Sequence, residues 1–485
     1  MFGEEESMNK NTGDLLLDEE YKRSLRFSIL DGMFYAIMFG IGEYYLSAYA
    51  VFIGASAFQL GFFGSLPYFF GSCAQLWSSD LTNFFKSRKR LLVVSSIFRT
   101  IIWVPIMLSY FFGVFGVWVL ILCTVLYVLM YYVQYAPWLG WMGDIVDDSA
   151  RPKYFALRTR IQMGMTFIGI ISAGLILEFV DFGNQYYNFV FVFLIALISS
   201  SLSGFFVSLK TDVPYAERDE DKFNLSYFTK RLFIDSFGKY TLFNIIFFFG
   251  IYIAVPFFIA YQLLVLDFTY LQLMIALSCI FLSRVMFFKP WAALTERHGS
   301  VNILLVSVLL ISVVPILWIF AANPMHVYIL NFLAGMSWAG FDILNVNIIY
   351  ETIKPSQRAR SISYLTFYKG VAILVGAMFG SLIMSRFSDY NPFFIVFLIS
   401  GIVRFASAYY FKKEVKELRQ VDPISHSKVL FQLFGSLPRE GSRMAILGFR
   451  SAKSNFIMLS DQSKKFRKTK PKKSKKKISP RKKKK

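Results

Sequence analysis

VNILLVSVLLISVVPILWIFA, residues 301–321, runs for 21 residues without a charge. About 20 mostly apolar residues in a helix cross the hydrocarbon of a bilayer, so this stretch reads as a membrane span. Its tripeptide Val314-Pro315-Ile316 recurs as Val104-Pro105-Ile106, inside another apolar run and 210 residues earlier. The first observation names the solvent, and the second points to a chain built twice.

Working outward, eleven further runs resemble it. The twelve lie near 30–54, 59–82, 91–112, 115–137, 161–181, 187–209, 240–266, 270–289, 301–321, 325–350, 362–384 and 392–411. With 55% hydrophobic residues, 55 Phe in 485 positions and a mean hydropathy of +0.49, a soluble globular domain is excluded. The runs are long and rich in Gly and Phe, and they lack the alternation of barrel strands. Helices are then the way to satisfy their backbone in lipid, which predicts an all-α membrane protein with 12 transmembrane helices. Cys73, Cys123 and Cys279 are odd in number and sit inside apolar runs, which excludes a disulfide scaffold.

Orientation follows from Lys and Arg, which cytoplasmic loops retain. The loops after spans 2, 4, 6, 8 and 10 carry Lys86, Arg88, Lys89 and Arg90; Arg151, Lys153, Arg158 and Arg160; a mixed-charge segment from Lys210 to Lys239; Lys289 and Arg297; and Lys354, Arg358 and Arg360. The opposite loops offer Arg386. Both termini are expected in the cytoplasm of a multi-pass cell-membrane protein, with the first span an uncleaved anchor. The net charge of +21 is concentrated at the C-terminus: residues 412–485 carry +19, and 15 of the last 22 residues are Lys or Arg.

The repeat extends beyond one tripeptide. Gln59-Leu60 matches Gln272-Leu273; Asp144, Ser149 and Arg151 match Glu351, Ser356 and Arg358; Gly174 matches Gly380; and Phe193-Leu194-Ile195 matches Phe397-Leu398-Ile399, with the offset drifting from 213 to 204. Two six-helix halves of equal orientation imply an axis along the membrane normal. The expected organisation is an acidic N-terminus over 1–24, a six-helix bundle over 25–209, a cytoplasmic linker over 210–239, a second bundle over 240–411, and a basic, disordered tail over 412–485.

Over about 25–411 the chain resembles the major facilitator superfamily. The loop after span 8, Ala292-Ala293-Leu294-Thr295-Glu296-Arg297-His298-Gly299, keeps the acid, the Arg and the closing Gly of that family's loop signature, and Arg88-Lys89 keeps its basic pair in the first half. Gly140-Trp141-Met142-Gly143-Asp144, with the run Arg151 to Arg158, looks like the corresponding loop of prokaryotic members of unassigned substrate. The resemblance implies two pseudo-symmetric six-helix bundles, a central cavity lined by spans 1, 4, 7 and 10, and secondary transport by alternating access.

No hydrolytic, redox or metal signature is present, and no phosphate-cradling Gly-rich loop ending in Lys-Ser/Thr occurs, so neither an enzyme nor a nucleotide-driven pump is expected and no cofactor is called for. Ionisable residues inside spans cost about 2.5–3.5 kcal/mol each on insertion scales and become candidates for function. They are Glu43, Arg99, Glu178, Asp342, Lys369 and Arg404. Glu43, near mid-depth of span 1, is the candidate proton-coupling acid. Asp342 and Lys369, both toward the cytoplasmic third of their spans, are candidates for a structural ion pair with each other or for a coupling role, and Arg99 and Arg404 for snorkelling to water. Glu178 reads as an interface residue at the outer end of span 5.

Arg88 or Lys89 with Asp144, and Arg297 with Glu351, could bridge helix ends as a cytoplasmic gate. Candidate cavity residues are Tyr45, Tyr131, Gln134, Tyr261, Trp338 and Asn345, which supply stacking faces and neutral hydrogen-bonding groups. The expected partners are a small organic solute, protons and the lipid bilayer, with anionic lipids at the basic tail. The last 22 residues of that tail, 464–485, have one aromatic, Phe466, and nothing to read bases, which disfavours nucleic acid. The chain is expected to act as a monomer. A non-transporting receptor or scaffold of the same fold is the alternative.

Overall fold

A computed structural model describes residues 2–146, 151–213, 225–353, 358–387, 391–417, 428–433 and 435. Among them sixteen α-helices form and no strand: α1 (Phe2–Ile41), α2 (Leu46–Phe52), α3 (Ala57–Gln75), α4 (Ser78–Phe85), α5 (Arg88–Leu108), α6 (Gly116–Ile145), α7 (Arg151–Phe179), α8 (Gln185–Ser208), α9 (Leu225–Arg231), α10 (Ser236–Ala254), α11 (Phe258–Leu264), α12 (Tyr270–His298), α13 (Ser300–Trp318), α14 (Pro324–Thr352), α15 (Arg358–Arg386) and α16 (Pro392–Glu414). A separate unit starts at Ser427, and its residues 428–433 are helical. Most of the basic tail, including 464–485, lies outside the described residues, as does 214–224 of the expected linker. Helix α1 begins at Phe2 and runs unbroken to Ile41.

Ten stretches among the described residues are long and apolar enough to cross a membrane. The expectation of twelve differs in two places. Arg88–Met142 is one apolar stretch of 55 residues, within which α5 and α6 are separated by a 3-10 turn, Ser109–Phe115, with Gly113 at φ +52°. The 19 residues of α3 stand outside the ten, diluted by Gln59, Ser65, Tyr68, Ser72 and Gln75. Large apolar side chains on the spans are more than half exposed, including Ile101, Leu122 and Leu382. In a bilayer such faces meet acyl chains at no cost.

The first span is not a straight rod. Gly40 and Gly42 weaken the helix, α1 stops at Ile41, and a 3-10 turn over Glu43–Tyr45 leads into α2. The same break appears 212 residues on, where Pro256 forces a 3-10 turn over Val255–Phe257 between α10 and α11. Other local devices recur as well. Ser56 caps α3 in a reciprocal pair with Gln59, and Thr269 caps α12 in the same way with Gln272. Tyr49 meets Phe193 edge to face at 5.1 Å, and Tyr261 meets Phe397 edge to face at 5.4 Å.

In the first half α1 packs on α7 and α8, α5 on α6 and α8, and α3 on α6; in the second, α10 packs on α15 and α16, α13 on α14 and α16, and α12 on α14. The pairs α3–α15 and α7–α12 join the two sets. Small residues allow these approaches. A Cβ on Gly169 of α7 would lie 2.9 Å from the Ile37 carbonyl oxygen of α1, and one on Gly380 of α15 would run into the Ile253 carbonyl of α10.

Candidate functional site

The 3-10 break in the first span carries Glu43 out of the α1 register and onto the wall of a cavity of about 380 Å³. Five tyrosines share that wall: Tyr35 from α1, Tyr68 from α3, and Tyr127, Tyr131 and Tyr132 from α6. Thr159, Gln162 and Thr166 of α7 add neutral polar groups, and Phe281 of α12 closes the far side, stacked 6.1 Å from Phe167. The surface is therefore aromatic and hydrogen-bonding around one carboxylate.

That carboxylate is held by a short chain of contacts. The Tyr127 hydroxyl is 3.0 Å from Glu43 Oε2 and donates to it, with Met38 Sδ at 3.1 Å as the competing acceptor, and Arg99 Nη2 donates to the same hydroxyl at 3.5 Å. The Arg99 guanidinium lies 4.9 Å from the Tyr35 ring centroid and 5.1 Å from that of Tyr127. Snorkelling is ruled out for Arg99, which is 5% exposed and turned toward the cavity tyrosines. It is ruled out for Arg404 too, whose guanidinium donates to the carbonyls of Ile311 at 3.1 Å and Ile251 at 3.3 Å.

Of the other cavity candidates, Tyr131 is on the wall, and Gln134 is half-buried on α6 outside the lining. Tyr45 is fully buried and donates to the Ile170 carbonyl at 2.8 Å, because the 3-10 turn aims it at α7 rather than at the cavity. Tyr261 likewise serves packing, donating to the Ala321 carbonyl at 3.1 Å. Trp338 meets Phe341 edge to face at 5.5 Å, and Asn345 accepts from the Tyr240 hydroxyl.

The expected Asp342–Lys369 pair does not form. Asp342 is bonded to Arg284 of α12, with Arg284 Nε 2.7 Å from Asp342 Oδ2, and Lys369 instead places its ammonium 4.6 Å from the centroid of Phe248. Glu178 accepts from the Leu271 backbone N–H at 3.1 Å, at the start of α12, where the helix dipole favours a carboxylate.

At the other end of the first half, Arg88 and Asp144 form an ion pair that ties the start of α5 to the end of α6. Lys89 beside it is half-buried, and Arg297 is exposed at the end of α12. The side chain of Glu351 lies outside the described residues.

A second charged cluster has no counterpart in the sequence reading. Asp31 of α1 is 2.7 Å from Lys210 Nζ and 3.5 Å from Arg158 Nη2, and accepts from Ser203 at 3.0 Å. Arg158 lies 4.3 Å from the Trp138 ring and Lys210 5.5 Å from the Trp141 ring. Burial pushes the Lys210 ammonium below the usual lysine value, against the pull of Asp31. The chain leaving α8 is thereby pinned, and Thr211 and Asp212 extend the anchor through Ser24 and Ser87.

Among the described residues no group of three His, Cys, Asp or Glu side chains could hold a metal ion. The family described as Major Facilitator Superfamily matches residues 240–460. No curated protein matches the sequence. Among solved structures, the nucleoside transporter NupG, in a point-mutant form, is similar with a TM-score of 0.66 and 13% identity, over 81% of this chain and 100% of that one. A bacterial homologue of the iron transporter ferroportin in an inward-facing state gives 0.61 and 13%, over 82% and 99%. The D-xylose-proton symporter gives 0.61 and 11%, over 83% and 99%. These identities speak for fold alone. The sequence match to the Major Facilitator Superfamily model thus covers the second half of the chain, and the helical membrane fold is shared with these solved transporters across about four-fifths of its length.

Proposed function

We propose that the chain is a proton-coupled carrier of a small organic solute, built as twelve membrane helices in two six-helix halves (25–209 and 240–411) with both termini cytoplasmic. The observation that carries the coupling is Glu43, a carboxylate set on the cavity wall by a break in its helix and bonded to Tyr127. Such a group loads a proton when the cavity faces one side and releases it when the cavity faces the other, which ties proton movement to the conformational cycle. The recurring breaks, capping pairs and edge-to-face contacts support the two-half organisation.

Arg88 with Asp144 serves as the cytoplasmic gate of the first half, and Arg297 with Glu351 is proposed for the second. Weak pairs suit a contact that must break in every cycle. Residues 464–485 act as an accessory that holds anionic lipid at the cytoplasmic leaflet.

The test is Glu43→Gln in proteoliposomes, with a solute first identified by thermal stabilisation against a metabolite library. The variant should fold and bind solute but lose solute-linked proton movement. Undiminished proton-coupled uptake by Glu43→Gln would remove the coupling assignment.

A further inference from the structure

Beyond Glu43, the second half brings three charged side chains together within its apolar helices. Arg284 of α12 is bonded to Asp342 of α14, and Lys369 of α15 lies within electrostatic range of the same carboxylate. The group thus holds two cations and one anion. The Arg284 and Asp342 side chains are 40% and 32% exposed. Within a span an exposed ion pair facing lipid would be costly, so it faces the interior. Phe281 fixes which interior: it lines the cavity, and Arg284 follows three residues later on the same face of α12. Arg284 also lies within electrostatic range of Tyr44, next to Glu43.

Lys369 is the informative member. Its ammonium rests 4.6 Å from the Phe248 centroid and has no hydrogen bond or ion pair among the described residues. Arg404, the other cation buried in this half, donates from both terminal nitrogens to backbone carbonyls. A half-buried ammonium with no hydrogen-bonded anion, sharing one carboxylate with Arg284, is costly, and a ligand anion removes that cost. Phe248 meets Phe341 edge to face at 6.0 Å, which meets Trp338 in turn, so an apolar aromatic surface adjoins the cations.

We propose that Lys369 and Arg284 form an anion-binding subsite, so that the solute is an organic molecule bearing a carboxylate or phosphate group. The anion pairs with Lys369 and competes with Asp342 for Arg284, while the rest of the solute lies on the aromatic surface toward Phe281. This deepens the carrier reading and rests on it.

The test uses purified full-length protein and thermal stabilisation by a panel of matched compounds: carboxylates with their amides, phosphate monoesters with their alcohols. Stabilising compounds should fall among the anions, and which anionic series responds separates carboxylate from phosphate. Lys369→Gln should weaken the response about tenfold and Lys369→Arg should largely restore it. Asp342→Asn, by freeing Arg284, should tighten anion binding, whereas a merely structural ion pair would predict weaker binding. Stabilisation by the neutral members, or anion binding unchanged in Lys369→Gln, overturns the subsite and leaves the carrier reading standing. No stabilisation by any compound, with a cavity cysteine reached from one face only, overturns both.

Discussion

The Tyr127 hydroxyl stands between Arg99 and Glu43, accepting from the guanidinium at 3.5 Å and donating to the carboxylate at 3.0 Å. One neutral group therefore joins a buried cation to a cavity acid. Arg99 Nε has no hydrogen-bond partner of its own among the described residues, so it depends on the two aromatic faces and this hydroxyl. Tyr127→Phe keeps the ring and removes the link. It should lower stability by about 1–3 kcal/mol, the cost of leaving buried polar groups unsatisfied, read as a lower melting temperature in detergent. An unchanged melting temperature would show that the hydroxyl contributes nothing there.

Asp31 serves two cations, Lys210 and Arg158, and its replacement should be more damaging than the loss of either one. Asp31→Asn leaves two buried positive charges uncompensated and should cost about 3–5 kcal/mol, while Lys210→Met leaves Asp31 with Arg158 and should cost less. Thermal unfolding of the two variants side by side checks the order. The reverse order would mean that Lys210, not Asp31, organises the cluster.

The Arg88–Asp144 pair should bias the carrier toward the state closed at the cytoplasmic face. Neutralising either residue should raise cytoplasmic labelling of a cavity cysteine by about two- to tenfold, as expected for a pair worth about 1 kcal/mol. Exchanging the two charges should return the rate toward the starting value. Labelling that ignores both single changes would exclude a gating role.

Deleting 464–485 should leave transport intact and weaken binding of the protein to vesicles containing anionic lipid. Each basic residue near such a surface contributes about 1 kcal/mol at low salt, so the loss should shrink as salt rises. Abolished transport with normal membrane insertion would contradict an accessory role.

The membrane fold is written plainly in the chain because each span carries its own evidence. An apolar run such as 301–321 needs no partner to be recognised, and neither do the Ser56–Gln59 and Thr269–Gln272 caps, which are local in sequence. Partner choice is different. Asp342 lies 27 positions from Lys369 and 58 from Arg284, and only the packing of α12 on α14 decides for Arg284. Arg284 itself was hidden in an apolar run, Leu282-Ser283-Arg284-Val285-Met286-Phe287, and Asp31 lay at the edge of the expected first span, 179 positions from Lys210. Tyr45 illustrates a third limit. A straight helix allows it to face the cavity, but the break at Glu43–Tyr45 changes the phase, so Glu43 lines the wall and Tyr45 is packed against α7. A signal for that break was present in Gly40-Ile41-Gly42, and its mate in Pro256.

Alternating access is tested most directly at Gln162, which lines the cavity from α7. Gln162→Cys would be placed in a variant lacking Cys73, Cys123 and Cys279, and labelled with a membrane-impermeant thiol reagent in right-side-out and inside-out vesicles. Labelling from both faces is expected, with a stabilising ligand changing the ratio between them. Labelling from one face alone, unaffected by any ligand that binds, would contradict it.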